Sequence, residues 1–177
     1  ILYIRTGVQI EPLIHGGGQE RNLRSGTENV PAIVGLATAL KIAQKNKDKE
    51  NKRLHTLQHY FIDRLTKKVS EFRLNGPAIN TNLLANNINL TFKNIEGESL
   101  MLYLDSKNIS VATGSACATA SLDPSHVLTA IGLSKKDAYS SIRISMGHDT
   151  TKQSLNSVVE ALSELVPMLR NVKQLNS

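Results

Sequence analysis

Apolar residues recur at helical spacing from Val30 through Ile33, Val34, Ala37 and Leu40, thin out across a stretch rich in lysine and asparagine, and resume at Leu54, Leu57, Phe61, Leu65 and Val69. Positions three and four apart share one face of a helix, so the pattern predicts one long helix, with any bend in its polar middle. Thr27 or Asn29 suits its cap, and Pro31 falls in the first turn, where a missing N–H is tolerated. Upstream, Ile1-Leu2-Tyr3-Ile4 predicts a strand already under way with no methionine before it, from which an absent upstream part is expected. Glu11 to Thr27, rich in glycine and charge, predicts a long loop.

Downstream, strand and helix signals alternate. Phe72 and Leu74 predict a short strand before a turn at Asn75-Gly76-Pro77, and Ile88, Leu90 and Phe92 alternate with Asn87, Asn89 and Thr91 as in a half-buried strand. Glu98 to Asp105 predicts a helix and Ile109 to Val111 a short strand. Asp123-Pro124 starts a helix that Gly132 closes. Ile142, Ile144 and Met146 then alternate with Arg143 and Ser145, which turns Arg143 away from the apolar face. A last helix carries the stripe Leu155, Val158, Val159, Leu162, Leu165, Val166 and Leu169, with a possible bend at Pro167. The alternation predicts a layered α/β fold without internal repeats.

Composition narrows the classes. At 177 residues and 40% hydrophobic content the chain can bury one core. No apolar run approaches the ~18 to 20 residues of a membrane helix, so no membrane partner and a cytoplasmic location are expected. The formal net charge of +6 is concentrated in part at Lys41, Lys45, Lys47, Lys49, Lys52 and Arg53, where Asp48 and Glu50 intervene. That is a solvated helix face without interleaved aromatics, and no nucleic-acid partner is expected. No metal site is expected either.

The single cysteine, Cys117, excludes an internal disulfide. It sits between Val111 and Leu122 in a run of small residues that has no large apolar anchor, so the segment is expected to be mobile. Two readings stand at this point: a small buried filler, or an exposed thiol on a flexible arm. No Lys, Arg or His within the run lowers the thiol pKa, and His126 follows nine residues later. His15-Gly16-Gly17-Gly18 fits neither G-x-G-x-x-G nor the P-loop pattern, so a plain turn and a phosphate loop both stay open.

Four blocks carry a family likeness. Gly114-Ser115-Ala116-Cys117-Ala118-Thr119-Ala120-Ser121-Leu122-Asp123-Pro124-Ser125-His126-Val127-Leu128 resembles the active-site loop of cysteine desulfurases of the bacterial nitrogen-fixation and iron–sulfur-assembly type. His15 to Thr27 resembles the glycine-rich segment of that family, Glu96-Gly97-Glu98-Ser99-Leu100 its next marker, and Ser140-Ser141-Ile142-Arg143-Ile144-Ser145-Met146-Gly147 its arginine strand. The blocks occur in family order from residue 15 to residue 147.

The resemblance implies a fold-type-I pyridoxal-phosphate enzyme of class-V aminotransferase kind. Residues 1–47 would belong to the edge of the large cofactor domain and the start of a linking helix, and residues 48–177 to the small C-terminal α/β domain. It gives Cys117 the role of attacking the sulfur of L-cysteine, which yields L-alanine and an enzyme persulfide. It gives Arg143 the substrate carboxylate, and Thr27 the phosphate of the partner subunit's pyridoxal 5′-phosphate in a homodimer. An iron–sulfur scaffold or another sulfur acceptor is the implied protein partner. The chain departs from the pattern in one respect: no lysine here matches the Schiff-base lysine that holds the cofactor. A fragment of a desulfurase, inactive alone, is therefore expected. The competing expectations are a non-catalytic truncated module that binds a desulfurase or sulfur acceptor, and a related aminotransferase or lyase without persulfide chemistry.

Overall fold

The computed structural model describes residues 1–77, 83–113 and 124–175. The chain divides into two compact units, Ile1–Lys47 and Asp48–Ser177.

In the first unit the expected strand at Ile1 to Ile4 is irregular chain, exposed at Ile1, Leu2 and Tyr3 and half-buried at Ile4. The reason is that a strand needs a hydrogen-bonded neighbour, and residues 1–47 contain none. The expected loop contains one short helical turn, α1 (Gln19–Asn22), in which Glu20 and Arg21 adopt left-handed backbone angles. Helix α2 (Val30–Lys68) then begins as predicted and runs unbroken for 39 residues, into the second unit. Its cap is Asn29, whose side chain accepts from the Ala32 N–H at 3.1 Å. The apolar residues of its first half, among them Val30, Ile33, Val34 and Leu40, are exposed.

The second unit is built on a four-stranded antiparallel sheet, ordered β1-β2-β4-β3, from β1 (Phe72–Leu74), β2 (Asn87–Phe92), β4 (Ser141–Ser145) and β3 (Ala112–Thr113). The last of these begins one residue after the predicted strand. Pairing of Ile88 with Ile144, Leu90 with Ile142 and Phe72 with Phe92 gathers the apolar side chains on one face. They share one core with Leu57, Phe61 and Leu65 of α2, Leu100 and Leu104 of α3 (Gly97–Asp105), and Leu155, Val159, Leu162 and Val166 of α6 (Lys152–Leu175). Pro167 is accommodated inside α6.

Two short helices complete the unit. Helix α4 (His126–Ala130) begins later than the Asp123-Pro124 signal suggests, and Gly132, at φ +89°, follows it. Helix α5 (Lys135–Tyr139) has no counterpart in the sequence reading, because five residues are too few for a periodic stripe. Ser134 caps it by accepting from the Asp137 N–H at 3.1 Å. Leu128, Leu133 and Ala138 form a satellite apolar cluster.

Two arginines pin the segments around the sheet. Arg170 of α6 donates to the carbonyls of Ser70, Glu71 and Lys93. Arg53 of α2 donates to those of Gly147 and Thr150. Satisfying several otherwise orphaned carbonyls from one fork-shaped donor set is what a guanidinium does well.

Candidate functional site

Arg143 lies in the middle of β4, exposed between buried Ile142 and Ile144. The strand alternation that buries the isoleucines lifts the guanidinium onto the opposite face of the sheet. Register fixes its neighbours there. Asn89 of β2 is directly across on one side and Ala112 of β3 on the other. Cross-strand partners hold their Cβ atoms about 4.5–5.5 Å apart. Thr91, Ser141, Asn87 and Ser145 fill the next positions on the same face. All of these are neutral, so the strands set no counter-ion beside Arg143. Its guanidinium makes no hydrogen bond or ion pair with another described residue, whereas nearby Arg73 is matched to Asp137 at 3.7 Å.

The neutral residues are themselves tied into a network. Asn75 Nδ2 donates to Asn89 Oδ1 at 2.6 Å and to Thr91 Oγ1 at 2.8 Å, and Thr91 Oγ1 donates to Asn75 Oδ1 at 3.0 Å. Ser141 Oγ donates to the Asp137 carbonyl at 2.6 Å, and it lies 2.8 Å from Thr91 Oγ1, whose single proton can turn to it in place of Asn75. Thr91 and Ser141 are buried, so these bonds satisfy groups that would otherwise cost stability. The alternation of Asn87, Asn89 and Thr91 is legible in the sequence but this network is not, because pairing partners such as Asn75 and Ser141 are far apart along the chain.

Thr27 lies in the first unit, at the end of a loop that folds on itself. Arg24 Nη1 donates to the carbonyls of Ser25, Gly26 and Thr27 at 3.3, 2.9 and 3.2 Å. Ser25 Oγ donates to the Gly17 carbonyl at 2.7 Å, and the Gly26 N–H to Gln19 Oε1 at 3.1 Å. A Cβ at Gly17 or Gly18 would come within 2.7 Å of the Gln19 or Asn22 side chain, and Gly26 sits at φ +97°. The glycines thus allow a tight loop rather than an open turn. Thr27 is exposed, and its hydroxyl has no partner among the described residues.

Cys117, and the mobility expected around it, lie outside the described residues. The chain enters that segment from Thr113, paired with Ile142 beside Arg143, and leaves it at Pro124.

The marker around Gly97 has a structural role. A Cβ there would lie 2.8 Å from the carbonyl oxygens of both Ser141 and Tyr139, so the first turn of α3 rests directly on the backbone that enters the arginine strand. Flanking it, Glu96 and Ser99, joined at 2.9 Å, line a 590 Å³ cavity with Lys136, Tyr139 and Leu169.

One ion pair of α2 shifts both of its members. Glu50 and Arg53 meet through two hydrogen bonds of 2.7 and 2.8 Å, which hold the Glu50 carboxyl below its ordinary range and raise Arg53.

The chain is similar to known proteins over nearly its whole length. Residues 1–158 match the family model described as aminotransferase class-V. The chain is 48% identical, over 97% of its own length and 43% of the relative's, to the cysteine desulfurase IscS of Dictyoglomus turgidum. It is likewise 48% identical, over 98% and 42%, to the cysteine desulfurase IscS of Methanosarcina thermophila. Among solved structures, a NifS-like protein superposes with a TM-score of 0.76 at 35% identity, covering 94% of this chain and 42% of that one. A NifS-like protein from Rickettsia africae gives 0.73 at 34%, covering 89% and 40%. The chain therefore spans less than half the length of the relatives it matches.

Proposed function

The chain belongs to the class-V aminotransferase family, and on that premise we propose that it forms the substrate-handling part of a pyridoxal-phosphate-dependent cysteine desulfurase. One observation carries the reading: Arg143 stands exposed among neutral cross-strand neighbours, and the strand beside it leads into the segment that bears Cys117. Ala112, the cross-strand partner of Arg143, precedes Cys117 by five residues, so chain length alone keeps the two Cα atoms within about 18 Å. A guanidinium with no counter-ion among the described residues suits a carboxylate, which it grips through two parallel hydrogen bonds. Arg143 holds and orients L-cysteine in this way.

Cys117 acts as the nucleophile. Its thiolate attacks the substrate sulfur, the Cβ–S bond breaks, and the sulfur stays on Cys117 as a persulfide. The three-carbon remainder takes up a proton and leaves as L-alanine. Pyridoxal phosphate, when bound, supplies the electron sink that makes the Cβ–S bond labile. Thr27 fits its phosphate: three successive carbonyls are drawn to Arg24, and the exposed hydroxyl stays outside that network. In this reading the phosphate belongs to the cofactor of the partner subunit of a homodimer. The persulfide then passes to an iron–sulfur scaffold or another sulfur acceptor. No helix among the described residues is long and apolar enough to cross a membrane, and a cytoplasmic site of action is proposed.

We assign residues 1–47 to the edge of the cofactor domain and 48–177 to the small domain. What supports this is the division between Lys47 and Asp48, together with the exposed apolar residues of the first unit. On this assignment the lysine that anchors the cofactor lies outside this chain.

Replacing Cys117 by Ser in the cofactor-loaded full-length polypeptide tests the reading. Sulfide release from L-cysteine with a reductant should fall to background while L-cysteine still perturbs the cofactor absorbance. Undiminished sulfide output would overturn the assignment, and loss of the absorbance change as well would place Cys117 in binding rather than sulfur transfer.

A further inference from the structure

Arg143 alone fixes a carboxylate in one plane but does not determine its rotation relative to the sheet. Asn89 sits directly across the β2–β4 ladder from Arg143, on the same face. Its carbonyl oxygen is already committed, accepting from Asn75 Nδ2 at 2.6 Å. Asn75 is in turn held through Thr91 and by Arg73 Nε, which donates to Asn75 Oδ1 at 3.2 Å. With its oxygen held on Asn75, the amide nitrogen, a separate atom on the same carbon, is left free to donate elsewhere. That nitrogen, with two N–H donors, has no partner among the described residues, although Asn89 is half-buried. Two donors without a partner among the described residues, on a side chain tied into a partly buried network and set across the ladder from a cation that no described residue pairs, call for an anionic acceptor with more than one oxygen.

We propose that Asn89 is a second carboxylate-binding residue, its amide nitrogen donating to one oxygen of the substrate carboxylate that Arg143 grips through both, with Asn75 serving as the positioning residue that holds the Asn89 amide in place. The proposal rests on the reading of Arg143 as the carboxylate site and deepens it: the clamp selects α-carboxylate substrates and sets the direction in which the rest of the amino acid extends.

Asn89→Ser in the cofactor-loaded full-length polypeptide keeps a side-chain acceptor for Asn75 and introduces no charge, but withdraws the amide donor. A hydrogen bond to a charged group corresponds to about 10- to 100-fold in affinity. KM for L-cysteine and the calorimetric Kd for the product L-alanine should therefore both rise by that factor, with kcat changed less than about threefold and Tm retained. Asn89→Asp, which keeps the shape of the amide and sets a competing anion beside Arg143, should raise both constants further; it carries the test if the serine variant does not fold. Arg143→Gln separates the two levels of the argument. Unchanged KM and Kd in Asn89→Ser, with a rise in Arg143→Gln, would reject the clamp and leave Arg143 as the carboxylate site. No change in either variant would reject the carboxylate site itself. A fall in Tm with KM and Kd unaltered would reduce Asn89 to a structural residue and overturn the proposal.

Discussion

Arg53 donates through Nη1 to the carbonyl of Thr150 at 2.7 Å, joining residues 97 positions apart. Nη2 reaches Gly147 at 2.9 Å from the same guanidinium, which Glu50 holds in place from one helical turn away. The turn leaving the arginine strand, closed on itself by the Thr150 N–H on the Gly147 carbonyl at 3.1 Å and the Gly147 N–H on Thr150 Oγ1 at 2.9 Å, is therefore also tied to α2.

The Glu50–Arg53 pair gives that attachment a pH dependence. Because Arg53 lowers the folded-state pKa of Glu50, the pair stabilises the fold above the ordinary glutamate value of about 4.3, and the contribution is lost as pH falls through the lowered folded value. Denaturation followed across the acid range should show Glu50→Gln less stable than the parent at neutral pH, with the two curves converging below about pH 4. A constant gap at all pH values would remove the charge from the explanation. Arg53→Ala should also speed amide hydrogen exchange at Gly147 to Thr150.

Gly97→Ala should destabilise the second unit by about 1–3 kcal/mol, the usual cost of forcing a methyl group into a filled space. The new Cβ would meet two backbone oxygens at 2.8 Å, and neither belongs to a side chain that can swing away. Urea denaturation measures the loss, and chemical-shift changes confined to Tyr139 through Ile142 would locate it. Full stability in the alanine variant would contradict the close approach.

Ile33→Lys and Leu40→Lys are expected to alter the stability of this chain alone by less than about 0.5 kcal/mol, since both side chains are roughly half exposed. In a full-length desulfurase polypeptide the same changes should each cost more than about 2 kcal/mol, because the rest of the cofactor domain would cover that face. Equal, small effects in both settings would argue against the division at Lys47.

How much of this could be read in advance depended on whether the cause was local. Helix α2 and helix α6 announced themselves through long stripes such as Leu57, Phe61 and Leu65, and β4 through Ile142, Arg143 and Ile144, because periodicity directly encodes which face is buried. The outward orientation of Arg143 followed from the same two-residue period. Ile1 to Ile4 misled, since its residues favour strands but a strand exists only where another chain segment pairs with it. Helix α5 escaped notice because five residues carry no period, although Ser134 before Asp137 was a legible cap. Asn89 was visible only as a polar position in an alternating strand. Its link to Asn75 and its place opposite Arg143 depend on register, which is set by the burial of Ile88, Leu90, Ile142 and Ile144 together.

The edge of the sheet is also its least anchored part. Strand β3 adds only Ala112 and Thr113 to the ladder, both half-buried, while the apolar core is closed by β1, β2 and β4. Peeling those two residues from β4 would forfeit a few hydrogen bonds and leave the packed interior intact. The border beside Arg143 is thus carried by the shortest ladder among the described strands, two residue pairs against three and five in the others, so its opening forfeits the fewest backbone hydrogen bonds.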